Sequence, residues 1–130
     1  MVAYPRLNAK ADRKGKNHMK IVERQVGDVT ILDLQGKILI GEKDDALRDA
    51  VNKAVDSGKA KLLLNLADVP YVDSAGLGEI VRCYTTVSRK GGKLKLINLT
   101  KKIQDLLSIT KLLTVFETFD TEEEGVKSFA

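Results

Sequence analysis

Apolar residues along this chain change their period several times, and each change predicts an element. Ile21–Val26 and Val29–Gln35 read as two strands. Gly27-Asp28 between them is a two-residue hairpin signal, so the pair is expected to run antiparallel. Gly36 ends the second strand. Leu47, Ala50, Val51, Ala54 and Val55 then recur at helical spacing and predict a helix from about Asp44 to Ser57, with Gly58 as its cap. Lys61–Leu66 is a nearly all-apolar strand of the kind covered on both faces.

Beyond Pro70, the residues Leu77, Ile80, Val81, Tyr84 and Val87 form one stripe of a helix spanning about Ser74 to Lys90, stopped by Gly91-Gly92. Leu94, Leu96 and Ile97 mark a further strand. Thr100 can cap a short helix that turns Ile103, Leu106 and Leu107 inward. Val115–Phe119 reads as the last strand, and a final helix from Thr121 buries Val126 and Phe129. The order ββαβαβαβα predicts an α/β fold: one domain with a mixed, mostly parallel sheet of four to five strands flanked by about four helices.

Composition narrows the function classes. At 130 residues, 43% hydrophobic and 31% charged, the chain suits one soluble domain. The net charge of +4 belongs to residues 1–18, which hold five basic side chains against Asp12. That segment reads as a disordered basic tail, with residues 19–130 as the domain; contact of the tail with an anionic surface is the alternative. The remaining residues hold 17 basic and 17 acidic side chains, so the body has no nucleic-acid footprint. With 5% aromatic residues and no Trp, a stacking platform for single strands is not expected either. No apolar run reaches the roughly 18 residues that span a bilayer. The N-terminus has no apolar secretory core, and the only cysteine is Cys83, so the cytoplasm is the default.

The candidate chemistry lies in Asp73-Ser74-Ala75-Gly76-Leu77-Gly78, where a strand gives way to a helix. A helix start offers unpaired N–H groups and favours a phosphate. Asp73 or Ser74 could simply cap that helix. Two glycines in its first turns, each costing roughly 0.5–1 kcal/mol relative to alanine, suggest instead that something approaches the backbone closely. Serine catalysis needs a base, yet the only histidine is His18, and the motif lacks the glycine two residues before the serine of a nucleophile elbow. Gly76-Leu77-Gly78 lacks the third glycine of a dinucleotide fingerprint and the lysine of a P-loop.

Other candidates are weaker. Thr121 with Glu124 reads as a capping box that accounts for Glu122, Glu123 and Glu124. No His or Cys pair and no calcium-loop spacing supports a metal, and no cofactor is expected. Cys83 flanks the apolar stripe and reads as an inert thiol, with a redox role as the alternative. Arg82, Thr85, Thr86 and Arg89 fall on the other side of that helix. Arg82 becomes an interface candidate if a partner docks at Ser74.

The hexapeptide, preceded by Leu64-Asn65-Leu66 and Val69 through Tyr71, resembles the STAS domain of bacterial anti-sigma-factor antagonists. The resemblance covers about residues 20–130 and includes the Gly91-Gly92-Lys93 turn. It implies a binding module rather than an enzyme. In that family the serine at the position of Ser74 is phosphorylated by an anti-sigma factor that is also a serine kinase. The unmodified antagonist binds this kinase and frees the sigma factor; a serine phosphatase resets the modified form. Asp73 through Gly78 and Arg82 would form the partner surface. No direct nucleic-acid or membrane contact is implied, and a weak homodimer is compatible with it.

One segment departs from the family pattern. Many members carry Gly-x-Leu-Asp after the second strand, whereas here Leu39 stands where the acid belongs, between Ile38 and Ile40. Ile38 and Leu39 either tuck under the first helix or form an apolar patch for a different partner. The patch would favour a second reading, a non-catalytic STAS scaffold or a transporter-associated regulatory subunit.

Overall fold

The computed structural model describes residues 20–36 and 46–130. Strand β1 (Lys20–Val26) turns through Gly27-Asp28 into β2 (Val29–Gln35), and the two pair antiparallel with Val26 opposite Val29. Gly27 sits at φ +63°, the left-handed region that such a tight hairpin requires. Helix α1 (Ala46–Asp56), β3 (Lys61–Asp68), α2 (Ser74–Arg89), β4 (Lys93–Ile97), α3 (Lys101–Ile109), β5 (Thr118–Phe119) and α4 (Glu122–Lys127) follow. The sheet order is β1-β2-β3-β4-β5, and every pairing after the first is parallel. The predicted element order and mixed sheet are therefore what the chain adopts.

Strand β3 owes its central place to apolar residues on both faces. Leu62, Leu64 and Leu66 join Leu32 and Leu34 under α1, α2 and α3, where Leu47, Val51, Leu77, Ile80, Val87, Ile103 and Leu107 are buried. Leu63 points the other way, with Val29, Ile31 and Ile97, into a smaller cluster closed by Val126 and Phe129 around α4. Among the described residues, the sheet is thus covered by three helices on one face and one short helix on the other.

Two strand boundaries differ from expectation by two residues or more. Strand β3 runs to Asp68, two residues beyond its apolar run. The last strand, expected over Val115–Phe119, is only Thr118–Phe119. The N–H groups of Val115 and Phe116 donate instead to the Leu112 carbonyl at 2.9 and 3.1 Å, closing a 3-10 turn over Leu112–Thr114. Phe116 leaves that turn pointing into the core, edge-on to Tyr84 with ring centroids 5.2 Å apart. The basic tail of residues 1–18, and the loop carrying Ile38 and Leu39, lie outside the described residues.

Candidate functional site

The connection from β3 to α2 is pinned from below. Val69 and Val72 are buried, while Pro70 and Tyr71 between them face outward, Tyr71 with 44% of its surface exposed. The chain then enters α2 at Asp73, whose extended backbone (φ −86°, ψ 174°) makes it the N-cap. The Asp73 carboxylate accepts the Gly76 N–H at 2.6 Å, and the Asp73 carbonyl accepts the Leu77 N–H at 2.8 Å.

This settles which of the two polar residues caps the helix. Asp73 takes the role, and Ser74 occupies the first helical position with its side chain exposed. No hydrogen bond engages the Ser74 hydroxyl among the described residues. The hexapeptide thus divides by depth. Ser74, Ala75 and Gly78 are exposed, Asp73 is half-buried, and Gly76 and Leu77 are buried beneath them. A Cβ added at Gly78 would meet nothing within 4 Å, so packing inside this domain does not demand glycine there. Arg82 is exposed one turn further along the same face.

The opposite side of α2 is anchored. Leu77, Ile80, Cys83 and Val87 are buried, which places Cys83 within the apolar stripe rather than at its flank. Burial, and then the Glu79 carboxylate, push the Cys83 thiol up to about 12, so it stays protonated and unreactive near neutrality. Glu79 is held below the usual carboxylate range, chiefly by hydrogen bonds from Arg48 on α1.

A second polar constellation, on the α4 face, escaped the sequence reading. Arg24 on β1 donates to Asp33 on β2 and, through Nη2, to Glu122 on α4 at 2.8 Å. Asn65 donates to Asp33 at 2.8 Å and accepts from Asn98 at 3.0 Å. Burial alone would raise the Asp33 carboxyl, but hydrogen bonds from Arg24 and Asn65 outweigh it and hold the group below its ordinary value. Glu122 is therefore a tertiary contact as well as a first-turn acid. Thr121 caps α4 as expected, accepting the Glu124 N–H at 3.1 Å. Opposite charges on a predicted hairpin could have revealed Arg24 and Asp33; nothing local points to Glu122.

Among the described residues no group of three potential metal ligands converges, and no helix is long and apolar enough to cross a membrane. The arrangement is a capped helix start whose Ser74 hydroxyl is exposed and has no hydrogen-bond partner among the described residues.

Known proteins share this layout. The family model for the STAS domain matches residues 20–125. An anti-sigma factor antagonist homologue from Thermotoga neapolitana is 32% identical over 108 residues, covering 83% of this chain and 92% of that protein. The anti-sigma-B factor antagonist of Bacillus subtilis (strain 168) is 37% identical over 81 residues, 62% of this chain and 73% of its own length. The crystal structure of a Thermotoga maritima protein described as an anti-sigma factor antagonist superposes with a TM-score of 0.66 at 27% identity, covering 83% of this chain and 92% of that one. The chain belongs to the STAS domain family, among relatives named anti-sigma factor antagonists.

Proposed function

We propose that this protein is a cytoplasmic anti-sigma factor antagonist whose hold on an anti-sigma factor is switched by phosphorylation of Ser74. It acts as a binding module and kinase substrate, not as an enzyme. The observation that carries the reading is the division of labour at the start of α2: Asp73 supplies the cap, leaving the Ser74 hydroxyl exposed and, among the described residues, unengaged. Relatives bearing the antagonist name support the partner class.

The unmodified surface of Asp73, Ser74, Ala75, Gly78 and Arg82 is small-featured and lets a partner approach the helix backbone. In the switching step, Ser74 Oγ forms a bond to the γ-phosphorus of a nucleoside triphosphate held by the partner kinase. The bond from that phosphorus to the leaving diphosphate breaks, and the hydroxyl proton passes to the kinase. The product carries about −1.5 to −2 additional charges at neutral pH, next to the Asp73 carboxylate. The helix start tolerates them. A closely apposed partner surface, which has already excluded water, does not. A serine phosphatase restores the hydroxyl. Gly76 and Leu77 serve this surface from beneath by fixing its shape.

The test is incubation of the full chain with a candidate anti-sigma factor kinase and ATP. A gain of about 80 Da, mapped to Ser74 and absent from Ser74→Ala, is the expected result. A kinase that binds the protein but never modifies Ser74 would overturn the switch and leave a non-catalytic scaffold.

A further inference from the structure

Tyr71 stands three residues before Ser74 with 44% of its surface exposed. The local chain holds it there. Val69 and Val72 are 0% and 4% exposed, so both face inward and fix the connection to the body. Pro70 restricts the backbone between them, because its ring sets φ. Upstream, the Gly36 N–H donates to the Asp68 carbonyl at 3.1 Å and ties the end of β3 to that of β2. Downstream, the Asp73 cap starts α2. Tyr71 is thus carried outward on a connection anchored at both ends.

Single exposed apolar residues are common on soluble proteins and need no partner. Place and type set Tyr71 apart. Among the described residues, the other large hydrophobics that stand out, Ile109, Leu113 and Val115, all lie in the link from α3 to β5. Ser74, Ala75 and Gly78 let a partner come close but offer it little area. Protein interfaces draw most of their binding energy from a few large side chains, with Tyr and Arg among the most frequent. The exposed Tyr71 and the exposed Arg82 bracket the small residues in the sequence.

Size completes the argument. Three residues of fully extended chain span at most about 11 Å. An interface of standard size covers about 800 Å² of each partner, and a round patch of that area has a radius of about 16 Å. A partner centred on Ser74 therefore reaches Tyr71.

We propose that the Tyr71 ring anchors the anti-sigma factor on this domain, seated in an apolar slot of the partner beside the surface that meets Ser74. The inference rests on the reading of Ser74 given above and divides the work at that site. The ring supplies affinity, and the hydroxyl supplies the switch. The ring carries no charge and gives no atom to phosphoryl transfer. It holds the kinase equally before and during that step, so its loss raises KM for the protein substrate and leaves kcat in place.

The probe is an anti-sigma factor kinase that binds the unmodified full chain. Tyr71→Ala should bind it at least about tenfold more weakly by calorimetry. KM for phosphorylation of Ser74 should rise with kcat unchanged, and Tyr71→Phe should keep the affinity of the unchanged chain. Circular dichroism checks the fold of both variants. The unmutated chain gives an independent measurement. With carbon-13 in its tyrosine rings, Tyr4, Tyr71 and Tyr84 report. The Tyr71 signals should shift on adding the kinase, while those of Tyr84, packed edge-on against Phe116, stay. Normal binding and modification of Tyr71→Ala, or Tyr71 signals unmoved by bound kinase, would overturn the anchor and leave the reading of Ser74 intact. Weakened binding of Tyr71→Ala to a kinase that never modifies Ser74 would keep the anchor and overturn the switch. Tyr71 signals that shift with protein concentration alone would assign the ring to a second copy and overturn the proposal. If no such kinase binds the chain, both fall.

Discussion

The Arg48 guanidinium grips the Glu79 carboxylate through Nε and Nη2 at 2.9 and 3.0 Å, tying α1 to α2 one turn beyond the start of the candidate site. Glu79 is the more deeply set partner, 13% exposed against 40% for Arg48. The pair therefore holds the first turns of α2 against α1 while leaving their outer face free for Ser74.

Glu79 and Asp33 together set an acid limit on stability. Both carboxyls lie below their ordinary values in the folded protein, so folding binds fewer protons than the unfolded chain does. Their contribution is complete above the unfolded values of about 4.3 and 3.9 and is lost as pH falls through the lower folded values. Urea midpoints should hold steady from about pH 7 to about pH 5 and then fall. Glu79→Gln should flatten part of that fall, and an unchanged pH profile would refute its share.

Replacing Asp73 removes the cap on α2. Asp73→Ala should cost about 1 kcal/mol, read as a lower urea midpoint, whereas Asp73→Ser should retain most of the stability. Equal losses in the two variants would show that the bond to Gly76 is not what matters.

Gly78 offers a prediction in which stability and binding move in opposite directions. Its Cβ position is empty, so Gly78→Ala should stabilise the free domain by about 0.5–1 kcal/mol. If a partner approaches the backbone there, the same methyl should weaken binding of the unmodified protein. Thermal melting and a calorimetric titration read the two effects separately.

Ser74→Asp places a charge where the phosphoryl group would go. Affinity for the anti-sigma factor should fall by at least about tenfold, or ~1.4 kcal/mol, with circular dichroism unchanged. Ser74→Ala should bind like the unmodified protein and resist the switch. Full affinity in the aspartate variant would contradict the charge mechanism.

Much of this was legible in the residues. The all-leucine run of β3, the hairpin at Gly27 and the 3.6-residue stripes each carry a local signal, whereas the choice between Asp73 and Ser74 as the cap, on which the exposure of Ser74 depends, was left open by the residues. The length of β5 was not legible. Val115 and Phe116 look like strand residues, and only the competing bonds to Leu112 turn them away. Glu122 misled for a similar reason: a first-turn acid suits a helix start so well that its bond to Arg24 had no separate trace. Cys83 sat nearer the core than expected because the buried stripe of α2 is wide enough to include it.

The contact between Arg24 and Glu122 spans 98 positions. A chain emerging from the ribosome makes its opening hairpin early but completes the Arg24 contacts only once α4 has been made. The rear of the sheet, with Val29, Ile31 and Leu63, stays uncovered for the same interval. Folding of this domain thus closes with α4, and a product lacking that helix would have a sticky back rather than being a slightly smaller domain.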